Sequence, residues 1–471
     1  MTRSDAMWAC AWGGLLGALA AAMRGFTVDD ALISVQYARN IAHGAGYRFD
    51  AAGPSTDGVT PLPWPLLLAP LARADAMTVL GRAQLLGVAC WSVAAAALGV
   101  AVGRARASLG AKLAALALTA LSLPIAAHAA SGMETGVVMA FATFAVAFHD
   151  SPRVSTAAAA FAAALRPELG PWALVFCAGR ALAQEARPAG VAAHALSSVS
   201  GLVGCALIRS VAFGHPYPLS LLAKPSDFDH GASYVIAALA VSALPIACLA
   251  PWALWRGADL ARAVVVAFAA HALVVALVGG DWMPFARLIA PVIPSLALAL
   301  VYCANTSSRA SLVVRASLGA MTGLYFWVIG APRAATVRAD RADLAARAAP
   351  ILASCTQIAT VDVGWVSAAS RGHIVDLAGL TDPQIAVLPG GHTSKRVDAA
   401  MLLDRRVDCA LFYVEPGFRA VAQGDGGSVR FAHAVSARLA QSELFATHFK
   451  SDAMLALGAG DRGYVLFRER K

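Results

Sequence analysis

LLGVACWSVAAAALGVAVG, residues Leu85–Gly103, contains no charged side chain. An α-helix needs about twenty mostly apolar residues to cross the hydrocarbon core of a bilayer. The stretch meets that length, so it reads as the centre of a membrane span near 77–103. Outward from it, similar runs recur near 7–25, 111–130, 134–149, 153–166, 169–184, 189–209, 233–255, 261–279, 284–303 and 311–330. The expectation is a polytopic α-helical membrane protein with about eleven transmembrane helices. Composition agrees. Of 471 residues, 59% are hydrophobic and 14% charged, where a soluble domain carries about 25% charge. The mean hydropathy is +0.64. The segment Pro61–Leu71 is apolar but Pro-broken and short. It reads as a helix lying at the membrane surface or re-entering it.

The basic residues give an orientation. Arg104, Arg106, Lys112, Arg153, Arg180, Arg187, Arg256, Arg262 and Arg309 all fall on one side of this arrangement. By the positive-inside rule that side is the cytoplasm, with the N-terminus inside. The first span is read as an uncleaved anchor, although Ala18–Ala22 offers small residues near a cleavage-like site. The net charge of +9 is then partly a topology signal. Its scattered residues give no reason to expect nucleic acid as a partner.

Composition changes near Ala331. Residues 1–330 read as the membrane domain, with a first outer loop at 26–60. Residues 331–471 read as a small extracytoplasmic α/β domain, about 140 residues long. Within it, β-like runs at Gln357–Val363, His373–Leu377, Cys409–Val414 and Tyr464–Arg468 alternate with helical patterns at Arg333–Ala349, Val397–Arg405 and Val435–Glu443. Gly390-Gly391 and Gly424-Asp425-Gly426-Gly427 mark loops. Six of the eight cysteines lie in expected spans as small apolar packers. Cys355 and Cys409 lie in the outer domain, where a disulfide can form. No zinc spacing and no phosphate-loop or dinucleotide fingerprint is present.

Asp29 and Asp30 stand together just past the first span, at the start of an amphipathic stretch that runs to Ala42. An aspartate here can cap the helix. It can equally serve as a catalytic base, because adjacent carboxylates disfavour double ionisation and raise one pKa. Two further polar excursions, Phe213–Asp229 and Gly279–Arg287, fall on the same outer face. The cytoplasmic loops are too short to house a nucleotide-binding domain. An outward-facing transferase would therefore draw on a lipid-linked donor, whose phosphate needs cations as it leaves. Lys224 and Arg287 are the candidates, with Arg39 and Arg166 behind them. Each has a plainer reading: Lys224 as a headgroup anchor, Arg287 snorkelling to the interface, Arg39 facing solvent, Arg166 paired with Glu168. Asp281 and Glu134 are read either as helix-end carboxylates or as site residues, and Trp282 goes with Asp281. His128 and His215 read as packing or interface residues.

The order of these pieces resembles a known family. Asp29-Asp30-Ala31-Leu32-Ile33-Ser34 through Tyr37-Ala38-Arg39-Asn40 and His43-Gly44-Ala45-Gly46-Tyr47 resembles the first outer loop of the bacterial arabinofuranosyltransferase-like family. These are multi-spanning GT-C glycosyltransferases. Asp57-Gly58-Val59-Thr60 with Trp64, Ser131-Gly132-Met133-Glu134-Thr135, Arg166-Pro167-Glu168, Phe213-Gly214 through Ala223-Lys224, Gly280-Asp281-Trp282-Met283 with Arg287, and Asp376-Leu377-Ala378-Gly379-Leu380-Thr381-Asp382 follow in order. The resemblance implies transfer of a sugar, arabinofuranose being one choice, from a polyprenyl-phosphate donor to a cell-envelope glycan or lipid. The transfer would occur on the outer face of the inner membrane, with Asp29 and Asp30 catalytic. The sequence departs from the pattern at Leu32 and at Ser220-Leu221-Leu222, which leaves the sugar and the acceptor open. Nothing in the residues demands a cofactor, although a divalent ion bridging a carboxylate and the donor phosphate suits oxygen ligands. The competing readings are a polytopic transporter or lipid-glycan flippase, and a scaffold presenting the outer domain. Against the transporter, no internal repeat or paired broken helices in two halves is visible.

Overall fold

The structure is a computed structural model that describes residues 1–248, 255–256, 258–419 and 430–470. The expected loop at Gly424-Asp425-Gly426-Gly427 and the end of the expected span 233–255 lie outside the described residues. The chain forms two compact units: one of residues 1–28, 81–208 and 226–336, the other of residues 29–80, 209–225 and 337–471. The expected division at 330/331 differs in two ways. The break falls after Thr336, and the loop segments 29–80 and 209–225 share a unit with the C-terminal residues.

The first unit is helical. A helix occupies nearly every expected span, because long runs of Ala, Leu and Val leave backbone hydrogen bonding no alternative in an apolar setting. The correction concerns how many of them cross. Among the described residues, Arg3–Gly25, Ala76–Arg104, Asp259–Leu277 and Arg309–Leu352 are each long and apolar enough. Two bent pairs, Leu109–Leu121 with Leu123–Ala129 and Pro188–Ser198 with Ser200–Phe213, bring the number to six. About eleven spans are therefore not shown. Thr135–Ala147 has 13 residues, about 20 Å at 1.5 Å per residue, against a hydrocarbon core of about 30 Å. Pro152–Leu165 and Gly170–Ala183 have 14 residues each and are also too short. Apolarity predicted helix, but length decides crossing. The bend of 57° after Leu121 sits at Ser122, just before Pro124, where a proline removes a donor.

Small residues let these helices approach closely. A Cβ on Gly87 would lie against the carbonyl oxygen of Ala129, and Gly136 faces the same contact. Trp12, Trp91 and Trp172 fill the interior with no exposed surface.

The second unit is built on a five-stranded sheet in the order β2-β1-β3-β5-β4. The strands are β1 Gln357–Thr360, β2 His373–Asp376, β3 Cys409–Val414, β4 Phe449–Ala456 and β5 Gly463–Glu469. β1 runs parallel to β2 and β3, while β5 is antiparallel to β3 and to β4. Ala359, Val375, Ala410, Phe412 and Phe449 form its apolar core with Leu402 and Leu439. The expected α/β character holds. The expected strand at 357–363 ends at Thr360, and Val363 instead begins the helix Val363–Ala369. β4 was not anticipated: as an edge strand with Lys450, Ser451 and Asp452 exposed, it lacks a clean apolar alternation. Cys355 and Cys409 are joined as a disulfide.

Two segments of residues 29–80 complete this unit. Asp29–Ala42 is the expected amphipathic helix. Pro63–Leu68 and the 3₁₀ turn Ala69–Leu71 leave Leu66, Leu67 and Leu71 exposed.

Candidate functional site

The nine expected site residues fall into the two units. Asp29, Asp30, Arg39 and Lys224 belong to the second, and Glu134, Arg166, Asp281, Trp282 and Arg287 to the first.

In the first unit the charged residues are brought together in pairs inside an apolar interior. Arg166 ends the helix Pro152–Leu165 in extended backbone. Its Nη1 donates to Glu134 Oε1 at 2.7 Å, and its Nε lies 2.6 Å from Glu168 Oε1. Glu134 is 0% and Arg166 3% exposed. The internal pair read from Arg166-Pro167-Glu168 is present, and Glu134 joins it from 32 positions away. Glu134 immediately precedes the helix Thr135–Ala147 without capping it by a side-chain hydrogen bond. Two atoms of this group, Glu134 Oε2 and Arg166 Nη2, are buried without a hydrogen-bond partner among the described residues. Such a vacancy costs about 1–3 kcal/mol or more for a charged group, so it marks an unused bonding edge.

Arg287 pairs with Asp281 at 2.7 Å and is 8% exposed. It is held inside the unit by that pair. Asp281 does not cap a long helix: the chain goes on through a turn to a 3₁₀ segment at Ala290–Val292, and Asp281 Oδ1 accepts from the next backbone N–H. Between them, Phe285 and Ala286 adopt φ of 60° and 53°. Left-handed backbone at non-glycine residues costs about 1–3 kcal/mol and persists only where packing enforces it. Trp282, 71% exposed, stacks on His230 at 4.1 Å. The charges of Arg287, Asp281 and Arg166 act on His128, whose Nε2 lies 3.1 Å from the Pro284 carbonyl. His271 places its two ring nitrogens 3.1 Å and 2.8 Å from the carbonyls of Glu168 and Leu288, which fixes the turns that carry Glu168 and Arg287.

In the second unit Asp29 is the first residue of its own helix but caps another. Its Oδ2 accepts from Gly364 N at 2.8 Å and its Oδ1 from Trp365 N at 2.9 Å. These are the leading amides of Val363–Ala369, 335 positions away. The approach requires glycine: a Cβ on Gly364 would lie on the Asp29 carbonyl oxygen and 2.7 Å from its Oδ2. Asp362 accepts from the Tyr464 hydroxyl at 2.8 Å, which accepts in turn from Arg341 at 3.1 Å. Burial, with help from the Asp362 charge, pushes Asp29 up to about 7 against Arg341 and the two amides. An acid held above its unfolded value binds its proton more tightly when folded. Its contribution is therefore complete below the ordinary value of 3.8 and is lost as pH rises through about 7. Chemical unfolding across that window should show Asp29 contributing a fall in stability with pH of no more than about 1.4 kcal/mol per pH unit, read as the difference between the wild type and Asp29→Asn. In Asp29→Asn that component should vanish.

Arg39 donates to the Ala74 carbonyl at 3.0 Å and to Gln36 at 3.2 Å, so it braces the loop and does not simply face solvent. Lys224 follows the short helix Leu219–Ala223 and makes no ion pair among the described residues. That helix is fastened by Leu219 N to Asp57 O, Thr60 to Ser220 at 2.7 Å, and the buried Lys395, which donates to carbonyls of Ala386, Leu388 and Leu222.

Sequence reasoning missed Arg209. It is 1% exposed and pairs at 2.5 Å with Asp57, which is fully buried. Burial raises the Asp57 carboxyl and Arg209 opposes it. A lone arginine inside the apolar run Val199–Phe213 was the available signal, the one that singled out Arg287. Arg341, Asp362 and Tyr464 gave none, being ordinary residues of a polar α/β segment. Among the described residues, no group of three or more His, Cys, Asp or Glu side chains is placed to hold a metal ion.

Residues 335–467 match the family model of a domain of unknown function (DUF8728), a range close to the C-terminal part of the second unit. No curated protein matches the chain.

Proposed function

We propose that this chain is an integral-membrane glycosyltransferase of the GT-C type. It would move a sugar from a polyprenyl-phosphate donor to a glycan or lipid acceptor on the outer face of the inner membrane. The observation that carries the reading is the unsatisfied Nη2 edge of Arg166, held by two glutamates inside an apolar helical unit. Ionisable groups so placed are costly and mark functional sites. A guanidinium oriented on two sides, whose buried third edge meets no acceptor among the described residues, can take an anionic oxygen there. The leaving polyprenyl phosphate supplies one as its bond to the anomeric carbon breaks. The acceptor hydroxyl forms the new bond to that carbon and gives its proton to a carboxylate. By the sequence resemblance that carboxylate is one of the pair Asp29 and Asp30. The disulfide Cys355–Cys409 supports an oxidising, extracytoplasmic location for its domain.

Transfer of radiolabelled sugar from polyprenyl-phosphate donors in membranes tests the reading. Asp29→Asn or Asp30→Asn should lower the rate about 10²-fold or more, the range for losing a general base. Full transfer by both variants would remove the base assignment. One observation favours the runner-up, a transporter or flippase: both arginines are already matched by carboxylates, as in an ion relay. Uptake of substrate without transfer would support it instead.

A further inference from the structure

The second unit holds a cavity of about 500 Å³ that none of the roles above uses. Its walls come from the loop segment 49–56 and from the sheet edge at β2 with the turn that follows it. Two ion pairs face into it. Asp50 meets His373 across one side, and Asp382 meets Arg405 across the other, with Arg405 Nη2 also donating to Gln384 Oε1 at 2.7 Å. Phe49 and Pro54 add apolar surface. The Asp50–His373 contact keeps the Asp50 carboxyl below its usual range and raises His373, so each partner supports the charge of the other.

The balance of these groups restricts the ligand. An anion would meet Asp50 and Asp382. A cation would meet Arg405 and His373. A hydrocarbon would cover charged groups and leave them without water or partners. A neutral molecule dense in hydroxyls avoids all three costs, since each hydroxyl both donates and accepts. Carboxylates keep spare acceptor sites and guanidinium spare donors after pairing. The volume is within the roughly 300–1,000 Å³ of small-molecule sites. A second cavity of about 540 Å³ shares Phe49, Asp50 and Ile374 and continues past Arg39 and His43, so a chain of rings could extend from one into the other.

We infer that the cavity bounded by Asp50–His373 and Asp382–Arg405 binds a neutral oligosaccharide. Naming that oligosaccharide as the acceptor rests on the transferase reading, whereas its binding does not.

Calorimetric titration of the full chain in detergent micelles tests the inference. The probes are neutral arabinan, galactan and mannan oligosaccharides, with inorganic phosphate and glucosamine as charged counterparts. At least one neutral oligosaccharide should bind. Arg405→Gln should weaken it tenfold or more. Gln384→Ala, at an exposed position, should weaken it several-fold in a protein that still folds. Absence of binding by every neutral probe at millimolar concentration would overturn the inference. So would affinity unchanged in both variants, or phosphate binding that Arg405→Gln abolishes. The transfer assay separates the two ideas. Binding that the variants weaken, in a chain that transfers no sugar, keeps the pocket and removes the transferase. Transfer with acceptor KM unchanged in both variants removes the pocket and keeps the transferase.

Discussion

Replacing Arg166 with alanine should destabilise the chain by about 3–5 kcal/mol, the usual result of removing one partner from a buried ion pair. Glu134 has no exposed surface and its Oε1 accepts from Arg166 alone among the described hydrogen bonds. Without the guanidinium, a carboxylate would stand unpaired in an apolar interior. Glu168 would lose a partner too, though at 13% side-chain exposure it can recover some hydration. The double variant Glu134→Gln/Arg166→Gln removes both charges and should recover much of the loss. Denaturant titration of the purified chain in micelles reads both. If the single and double variants lose stability equally, charge is not the reason and side-chain packing is.

The second large effect concerns the disulfide. Cys355 and Cys409 are separated by 54 positions. Closing a loop of that size removes about 4 kcal/mol of unfolded-state entropy in the chain-entropy account. The double variant Cys355→Ala/Cys409→Ala should therefore lower stability by about 2–4 kcal/mol, since measured effects often fall below the entropic value. A reducing agent should reproduce the loss in the wild type and change nothing in the variant. A wild type indifferent to reduction would show that the bridge contributes little beyond the sheet it joins. The bridge ties the end of Val337–Leu352 to β3, and Arg468 of β5 donates to Ser354 beside it at 2.7 Å. Loosening should therefore centre on these elements.

Asp29 shows most directly how far the sequence could be read. Its place beside Asp30 at the head of an amphipathic helix posed a choice between cap and base. The structure gives a third arrangement, a cap on a helix 335 positions away. Gly364 looked unremarkable in sequence, and the contact with Asp29 explains why a side chain does not fit there. Arg287 was recognisable as an unusual charge, but its partner Asp281 and the strained backbone between them were not. Lys224 was identified by its loop, and what fastens that loop, Asp57, Ser220 and Lys395, became visible only on folding.

The sequence by itself determined where the chain is largely helical, that several of its helices are apolar enough to suit a membrane, and that a mixed α/β domain follows near residue 331. These follow from local facts: the length of apolar runs, the period of polar residues, and the turn chemistry of Gly and Pro. Only the tertiary structure decided which helices are long enough to cross, since bends at Ser122 and Val199 depend on packing as well as composition. It alone paired Glu134 with Arg166, Asp57 with Arg209 and Asp50 with His373, across separations of 32, 152 and 323 positions. A charge in an apolar run announces that a partner is needed, because an unpaired one is too costly to bury. Which partner meets it is set by chain topology and close packing, which no local pattern encodes.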